Sequence, residues 1–229
     1  MNTIICGSKR YENLNFDKLV DNFDIIVRHN MLLPCNNYGK RNSDIQILNI
    51  HLNSFYTQKK PVDEIIRIFE TPLWRGEFDI SEEHIRKTCD YLKLDSVQFK
   101  YFEHNNTNLM IALLKKHNIN HIVTKQLRCG FAYIAECIDT EIKPFLMGFS
   151  LKEGDMLGKQ FSNKKSKGQC HDTNSEISLL KKLHKANLID ATFCAIEDSQ
   201  DMKIDSSLLS PTTVSLDILN TIYTNVKKG

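Results

Sequence analysis

A short apolar run, Thr3-Ile4-Ile5-Cys6, stops abruptly at Gly7-Ser8. A run of this length followed by turn-forming residues is typical of a buried strand that ends in a turn. A second such run, Phe23-Asp24-Ile25-Ile26-Val27-Arg28, follows a short helical segment at residues 15–20. The order strand, helix, strand is the unit from which α/β folds are built.

The alternation of strands and helices continues along the chain. Further strands are predicted at residues 45–49, 64–69, 144–149 and 191–196, and helices at 81–92, 108–117, 131–138 and 174–188. This pattern predicts an α/β fold with a Rossmann-like, mostly parallel sheet covered by helices on both faces. In open sheets of this kind ligands bind at the carboxyl ends of the strands, so residues that follow the strands are candidates for a site.

Composition limits the class of protein. The 229 residues include 30 Lys+Arg and 28 Asp+Glu, which gives a net charge of +2 and argues against a polybasic nucleic-acid binder. No apolar run approaches the roughly 20 residues of a membrane span, and no signal segment is visible. We therefore expect a cytoplasmic protein without a nucleic-acid partner. Peripheral association with a membrane and self-association both stay open.

Several common site motifs are missing from the chain. The seven cysteines contain no CxxC pair, and the eight histidines are scattered, so we expect reduced thiols and no metal site. There is no GxGxxG and no GxxxxGK[ST], which removes the dinucleotide and P-loop fingerprints. A serine hydrolase would need GxSxG, which is also absent.

Three predicted strand ends carry candidate binding residues. Gly7 and Ser8 follow the first strand, where backbone amides could approach a phosphate or ribose. Asn30 and Asn49 end the second and third strands, and an asparagine amide can both donate to and accept from a base, a sugar hydroxyl or a carboxylate. The alternative is that each is simply a turn residue.

A polar segment and the histidine after it form the last candidate. Residues 152–169 include five lysines and three glycines, which fits a basic lid over an anionic ligand or a solvated loop. His171 follows, immediately before a predicted helix that Asp172 or Asn174 can cap. A helix N-terminus disfavours imidazolium, so His171 suits a general base, although an exposed loop histidine would have the same sequence context.

In order and rough spacing, these pieces resemble the bacterial sialyltransferases of glycosyltransferase family 42. That family has a Gly/Asn/Ser turn after the first strand, a strand ending in Arg-x-Asn, a Gly-Lys-Lys-like turn and a strand ending in Asn. It then has a Ser-Gly pair that opens a buried helix, a strand ending in Ser-Gly, a lid, and a catalytic histidine before a helix. The matching segments here are Ile5-Cys6-Gly7-Ser8, Ile26-Val27-Arg28-His29-Asn30, Tyr38-Gly39-Lys40-Arg41, Ile47-Leu48-Asn49, Cys129-Gly130, Met147-Gly148, the 152–169 segment, and His171 to Glu176.

The resemblance implies a sialyltransferase-type variant of the GT-A fold and an inverting, metal-independent transfer from a CMP-activated acidic sugar, with no cofactor. The acceptor would be a hydroxyl of a glycan or glycolipid in lipopolysaccharide or capsule biosynthesis. His171 would be the general base. The implied donor-binding residues are Gly7, Ser8, Asn30, Asn49, Cys129 and Gly130. To these we add Lys152 and Arg128, because guanidinium geometry would allow Arg128 to pair bidentately with the sugar carboxylate.

The chain also departs from the family pattern. The family places a pair of tyrosines after its Ser-Gly strand to stabilise the leaving phosphate, and residues 149–170 contain no tyrosine. Lys152 or Lys159 could supply charge there. The departures leave two alternatives open, a Kdo transferase using CMP-Kdo and a non-catalytic nucleotide- or glycan-binding protein.

The domain organisation follows from the same reading. We predict a catalytic domain over residues 1–198, with its lid at 152–169. The remaining residues, 199–229, form a tail whose helix at 214–226 packs on that domain.

Overall fold

A computed structural model of the protein describes residues 2–7, 17–29, 39–48, 73–76, 99–101, 106–128, 130–151 and 172–199. Within these ranges six strands form one parallel sheet: β1 (Thr3–Cys6), β2 (Ile25–His29), β3 (Ile45–Leu48), β4 (Leu73–Gly76), β5 (Phe99–Tyr101) and β6 (Phe145–Met147). Their order across the sheet is β5-β4-β3-β2-β1-β6. The prediction of an α/β fold with a parallel sheet is confirmed.

The same ranges contain five helices: α1 (Asp17–Asp21), α2 (Asn106–Lys116), α3 (Gly130–Asp139), α4 (Thr173–Lys185) and α5 (Thr192–Ser199). Helix α4 begins at an N-cap, where the carboxylate of Asp172 accepts a hydrogen bond of 3.1 Å from the Ser175 backbone N–H. That bond satisfies one of the N–H groups that the first turn of a helix leaves without an intrahelical partner.

Both faces of the sheet are covered. Successive side chains of a strand point to opposite faces, and Ile4 and Ile5 of β1 are both fully buried. On the Ile5 face, apolar side chains of α2, α3 and α4 form one core cluster with Val27 and Leu146. On the other face, Phe145 packs edge-on against Phe23 with ring centroids 5.1 Å apart.

One predicted strand is wrong. Residues 191–196 were expected to form a strand, but Thr192–Ser199 is the helix α5. Asp190 makes a single parallel bridge to Phe145, and its side-chain oxygen then accepts from the Thr192 N–H at 2.9 Å. An aspartate that binds the backbone two residues onward favours a turn into a helix. Short apolar runs do not distinguish a strand from a buried helix by periodicity.

Two strands of the sheet were not predicted from the sequence, and two predicted elements lie outside the described residues. The sequence reading did not find β4 and β5, which are four and three residues long. The strand predicted at 64–69 and the helix predicted at 81–92 lie outside the described residues. The 152–169 segment and residues 200–229 also lie outside them, so the lid and the tail stay predictions.

Candidate active site

The order of the strands across the sheet reverses at β1. Strands β2, β3, β4 and β5 follow one another outward from one side of β1, and the chain then returns to place β6 on the other side. This is the topological switch point of an open α/β sheet, where a crevice forms outside the carboxyl ends of the strands. Gly7 and Gly148, the residues directly after β1 and β6, lie there.

Gly7 and Gly148 pack backbone against backbone. The Gly7 N–H donates a hydrogen bond of 2.7 Å to the Met147 carbonyl oxygen. A Cβ atom at Gly7 would lie 2.4 Å from the carbonyl oxygen of Gly148, closer than any real contact. Gly148 itself has a φ of +71°, which favours glycine. The chain segments that leave β1 and β6 therefore meet backbone to backbone, and side chains larger than hydrogen are excluded at position 7.

His29, at the end of β2, is a buried imidazole beside these segments. Its Nδ1 lies 2.9 Å from the Cys6 carbonyl oxygen, and because a carbonyl can only accept, Nδ1 carries the proton. Burial lowers the pKa of His29 to about 4, against a smaller opposing effect of that hydrogen bond. The ring is therefore neutral at pH 7, with a lone pair on Nε2. That atom has no hydrogen-bond partner among the described residues.

Helix α3 begins next to His29. A Cβ atom at Gly130 would lie 3.1 Å from Nε2 of His29 and 3.4 Å from the Phe149 ring. The Phe149 ring itself meets His29 edge-on, with centroids 5.7 Å apart. The N-terminus of a helix carries partial positive charge and N–H groups that favour an anion. The carboxyl edge of the sheet thus combines close backbone packing with an electropositive helix end.

Arg128, just before α3, is paired with Glu176 in the first turn of α4. The Glu176 carboxylate accepts from the Arg128 backbone N–H at 2.9 Å and from its Nε at 2.5 Å. The Arg128 Nη2 also donates to the Thr173 hydroxyl at 3.2 Å. The sequence reading expected Arg128 to pair with a sugar carboxylate. In the structure Arg128 donates from its Nε and its backbone N–H to Glu176, a carboxylate of the protein.

Arg28, from the Arg-x-Asn segment, is fully buried and supports a neighbouring turn. Its Nη1 donates to the Arg41 carbonyl oxygen and the Ser43 hydroxyl, both at 3.0 Å, and Nη2 donates to the Gly39 carbonyl oxygen at 3.2 Å. These bonds hold residues 39–43 against the end of β2. The arginine of this motif therefore has a structural role in the connection to β3.

Among the predicted site residues, the structure describes three: Gly7, Arg128 and Gly130. It places Gly7 and Gly130 at the same edge of the sheet, where a Cβ atom on either glycine would contact the Phe149 ring. The remaining predicted residues lie outside the described ranges: Ser8, Asn30, Asn49, Cys129, Lys152 and His171. His171 directly precedes Asp172 in sequence, and Asp172 caps the helix predicted to follow it, while the role of His171 stays a prediction.

Sequence reasoning assigned no role to His29 or Glu176. The signal for His29 was its place at the end of an apolar strand, next to Asn30. Glu176 belongs to the segment that follows His171, but its partner is 48 residues away in sequence.

No group of three or more His, Cys, Asp or Glu side chains within the described ranges is placed to hold a metal ion. The helices described here include none long and apolar enough to cross a membrane.

Comparison with known proteins identifies the fold. No protein-family profile and no curated protein sequence matches the chain. Solved structures of sialyltransferases, which are glycosyltransferases of family 42, do match.

Two of these are structures of the sialyltransferase CstII. One, a variant in complex with CMP, shares 18% identity at a TM-score of 0.52; the other, from Campylobacter jejuni in complex with the substrate analogue CMP-3FNeuAc, shares 17% at a TM-score of 0.50. Each match covers 92% of this chain and 88% of the other. The protein has the fold of CstII, and the resemblance expected from the sequence is confirmed at the level of the fold.

Proposed function

We propose that the protein is an inverting, metal-independent glycosyltransferase that moves sialic acid, or a related nonulosonic acid, from a CMP donor to a glycan hydroxyl. The observation that carries this proposal is the reversal of strand order at β1 on a CstII-like fold. Gly7, Gly148 and the N-terminus of α3 meet there beside a neutral His29. Glycine backbone and an electropositive helix end suit the phosphate and the carboxylate of such a donor.

The donor would lie along the carboxyl edge of the sheet. Gly7 and Ser8 would line the phosphate and base pocket, and Asn30 and Asn49 would contact the cytidine, ribose or phosphate. Backbone amides of Cys129 and Gly130 would bind the sugar carboxylate. A charged loop residue, Lys152 in our assignment, would stabilise the leaving phosphate. Gly7 and Gly130 lie at the same edge of the sheet, which supports the phosphate and base pocket at Gly7 and the carboxylate site at Gly130.

His171 would be the general base. It takes the proton of the acceptor hydroxyl as that oxygen attacks the anomeric carbon, while the bond from that carbon to the CMP phosphate oxygen breaks and CMP leaves. Attack opposite the leaving group inverts the anomeric configuration. The N-cap at Asp172 supports this role because His171 is its neighbour in sequence, and proximity to a helix N-terminus favours the neutral imidazole.

The test is release of CMP from CMP-sialic acid and from CMP-Kdo, with a glycan acceptor, with and without EDTA. We expect turnover with one of these donors, unchanged by EDTA. His171→Ala should remove most of the transfer and leave the protein folded, whereas the exposed control Asn174→Ala should keep the wild-type rate. Full transfer by His171→Ala would show that another group is the base.

The lack of tyrosine in residues 149–170 favours a second candidate, a non-catalytic nucleotide- or glycan-binding protein of the same fold. That candidate predicts that CMP or a CMP-sugar binds while no CMP is released from any donor. Turnover of either donor would reject it. A preference for CMP-Kdo over CMP-sialic acid would keep the transferase and change the sugar.

A further inference from the structure

The Arg128–Glu176 pair joins the beginnings of two helices. Arg128 lies two residues before Gly130, the first residue of α3, and Glu176 lies in the first turn of α4. The contact uses both the backbone N–H and the side chain of Arg128, so it fixes the main chain as well as the guanidinium. The starts of α3 and α4 are therefore held at one distance by a two-point contact.

The Arg128–Glu176 pair includes a buried carboxylate, so water cannot readily replace a lost contact. Glu176 is 3% exposed, and a buried carboxylate without its partner is strongly disfavoured. Two further contacts hold the same turn of α4 to residues 121–124. The Thr124 hydroxyl donates to Asp172 at 3.1 Å, and the Ser175 hydroxyl lies 3.2 Å from Nε2 of His121. The first turn of α4 is thus tied at three points to the segment that leads into α3.

We propose that Arg128 and Glu176 are positioning residues that set the distance between the general base and the donor sugar. This inference rests on the proposed function. Gly130 opens the helix that would bind the donor carboxylate. His171 is joined to the cap residue Asp172, and consecutive Cα atoms are about 3.8 Å apart. The pair therefore links the segment just before the proposed donor-binding helix to the first turn of the helix that His171 precedes in sequence.

The first test is Glu176→Gln, which keeps an oxygen for the Arg128 backbone N–H and removes the charge facing Nε. A small misplacement of a reacting group costs about 100-fold in rate. We expect kcat to fall by about that factor. The donor KM, and the rise in thermal midpoint that CMP causes, should stay within about twofold of the wild-type values. This split between kcat and KM is expected from misplacement of the base and not from loss of donor binding.

The matched control is Lys143→Gln. Lys143 donates to Asn187 at 2.5 Å just beyond the other end of α4, so this variant loosens the same helix at the end remote from His171. We expect it to keep the wild-type kcat. An equal loss of kcat in both variants, or a Glu176→Gln enzyme that keeps its kcat while its thermal midpoint falls, would show that the pair only stabilises the fold.

A second measurement separates this proposal from the proposed function. If the wild-type protein turns over no CMP-sugar, the function is wrong, and amide hydrogen exchange still tests the coupling. In Glu176→Gln we expect faster exchange at both helix starts, residues 130–134 and 173–177, and in Lys143→Gln at neither. Faster exchange confined to α4, or no change at either start, would overturn the positioning role.

Discussion

His29 makes the stability of the protein depend on pH. Burial lowers the pKa of its imidazole from 6.5 to about 4, so between these pH values the unfolded chain binds more protons than the folded chain. The free energy of unfolding therefore decreases as the pH falls from 6.5 towards 4. At about 1.4 kcal/mol per pH unit, the loss over this window is about 3 kcal/mol.

Urea unfolding at pH 7, 6, 5 and 4 measures this loss. The variant His29→Gln keeps an N–H donor for the Cys6 carbonyl oxygen and does not titrate, so its stability should fall less with decreasing pH than that of the wild type. Lys143→Gln, which leaves every histidine in place, should keep the wild-type pH dependence. Parallel curves for His29→Gln and the wild type would contradict the assignment.

The two glycines at the carboxyl edge should differ in their tolerance of a side chain. The Cβ of Gly7→Ala would meet the backbone oxygen of Gly148, which cannot rotate away, so we expect a loss of about 1–3 kcal/mol in the free energy of unfolding. At Gly130 the nearest atoms belong to the side chains of His29 and Phe149, which can shift, and alanine is the better helix former. Gly130→Ala should cost less than Gly7→Ala in the same urea measurement, and the reverse order would contradict the geometry.

At the scale of secondary structure, sequence patterns predicted the amphipathic helices and the continuous apolar strands, and failed on elements without such a pattern. Helices α2 and α4 repeat apolar residues over about three turns, which is enough to fix their period, and α3 was predicted because it is apolar around most of its circumference. Arg75 interrupts β4 and Lys100 interrupts β5, so no apolar run marks either strand. Helix α5 shows why an apolar run alone is ambiguous: the turn made by the Asp190 side chain decides its conformation.

Helix α5 should contribute a large share of the stability at the β6 edge. Phe193 is 1% exposed and its ring lies 6.2 Å from that of Phe145, so Phe193→Ala leaves a cavity beside the sheet. We expect a loss of about 3–5 kcal/mol in the free energy of unfolding. Ile122→Ala, at a side chain that is 75% exposed, should change it by less than about 0.5 kcal/mol. A small effect of Phe193→Ala would mean that α5 does not pack on the sheet as described.

The contacts that build the site could not be predicted from local sequence. The Arg128–Glu176 pair joins residues 48 apart, and His29 reaches the Cys6 carbonyl oxygen across 23 residues. Each depends on which helices and strands become neighbours, which hydrophobic periodicity does not encode. Gly7 was predicted as a site residue because ligands bind at the carboxyl ends of parallel strands, whereas Gly130 was predicted only through the resemblance to family 42.

At the scale of the whole molecule, strand order determines where a ligand can bind. Alternating strands and helices predicted a parallel sheet, but the order β5-β4-β3-β2-β1-β6 comes only from the structure. That order puts the reversal between β1 and β6, next to Gly7. A sheet with the same strands and no reversal at β1 would have no crevice there. The case for a nucleotide site therefore depends on topology more than on any single motif.

A ligand in this crevice should stabilise the entire fold, because it binds only the native chain. At a CMP concentration of about 100 times its dissociation constant, the gain is about 2.7 kcal/mol. For a chain of this length each kcal/mol raises the thermal midpoint by about 2–4 °C, so we expect a rise of roughly 5–10 °C. UMP, GDP and NAD at equal concentration should raise it much less, and EDTA should leave the CMP effect unchanged. A larger response to another nucleotide, or loss of the CMP effect in EDTA, would reject a metal-independent CMP site at the β1–β6 switch point.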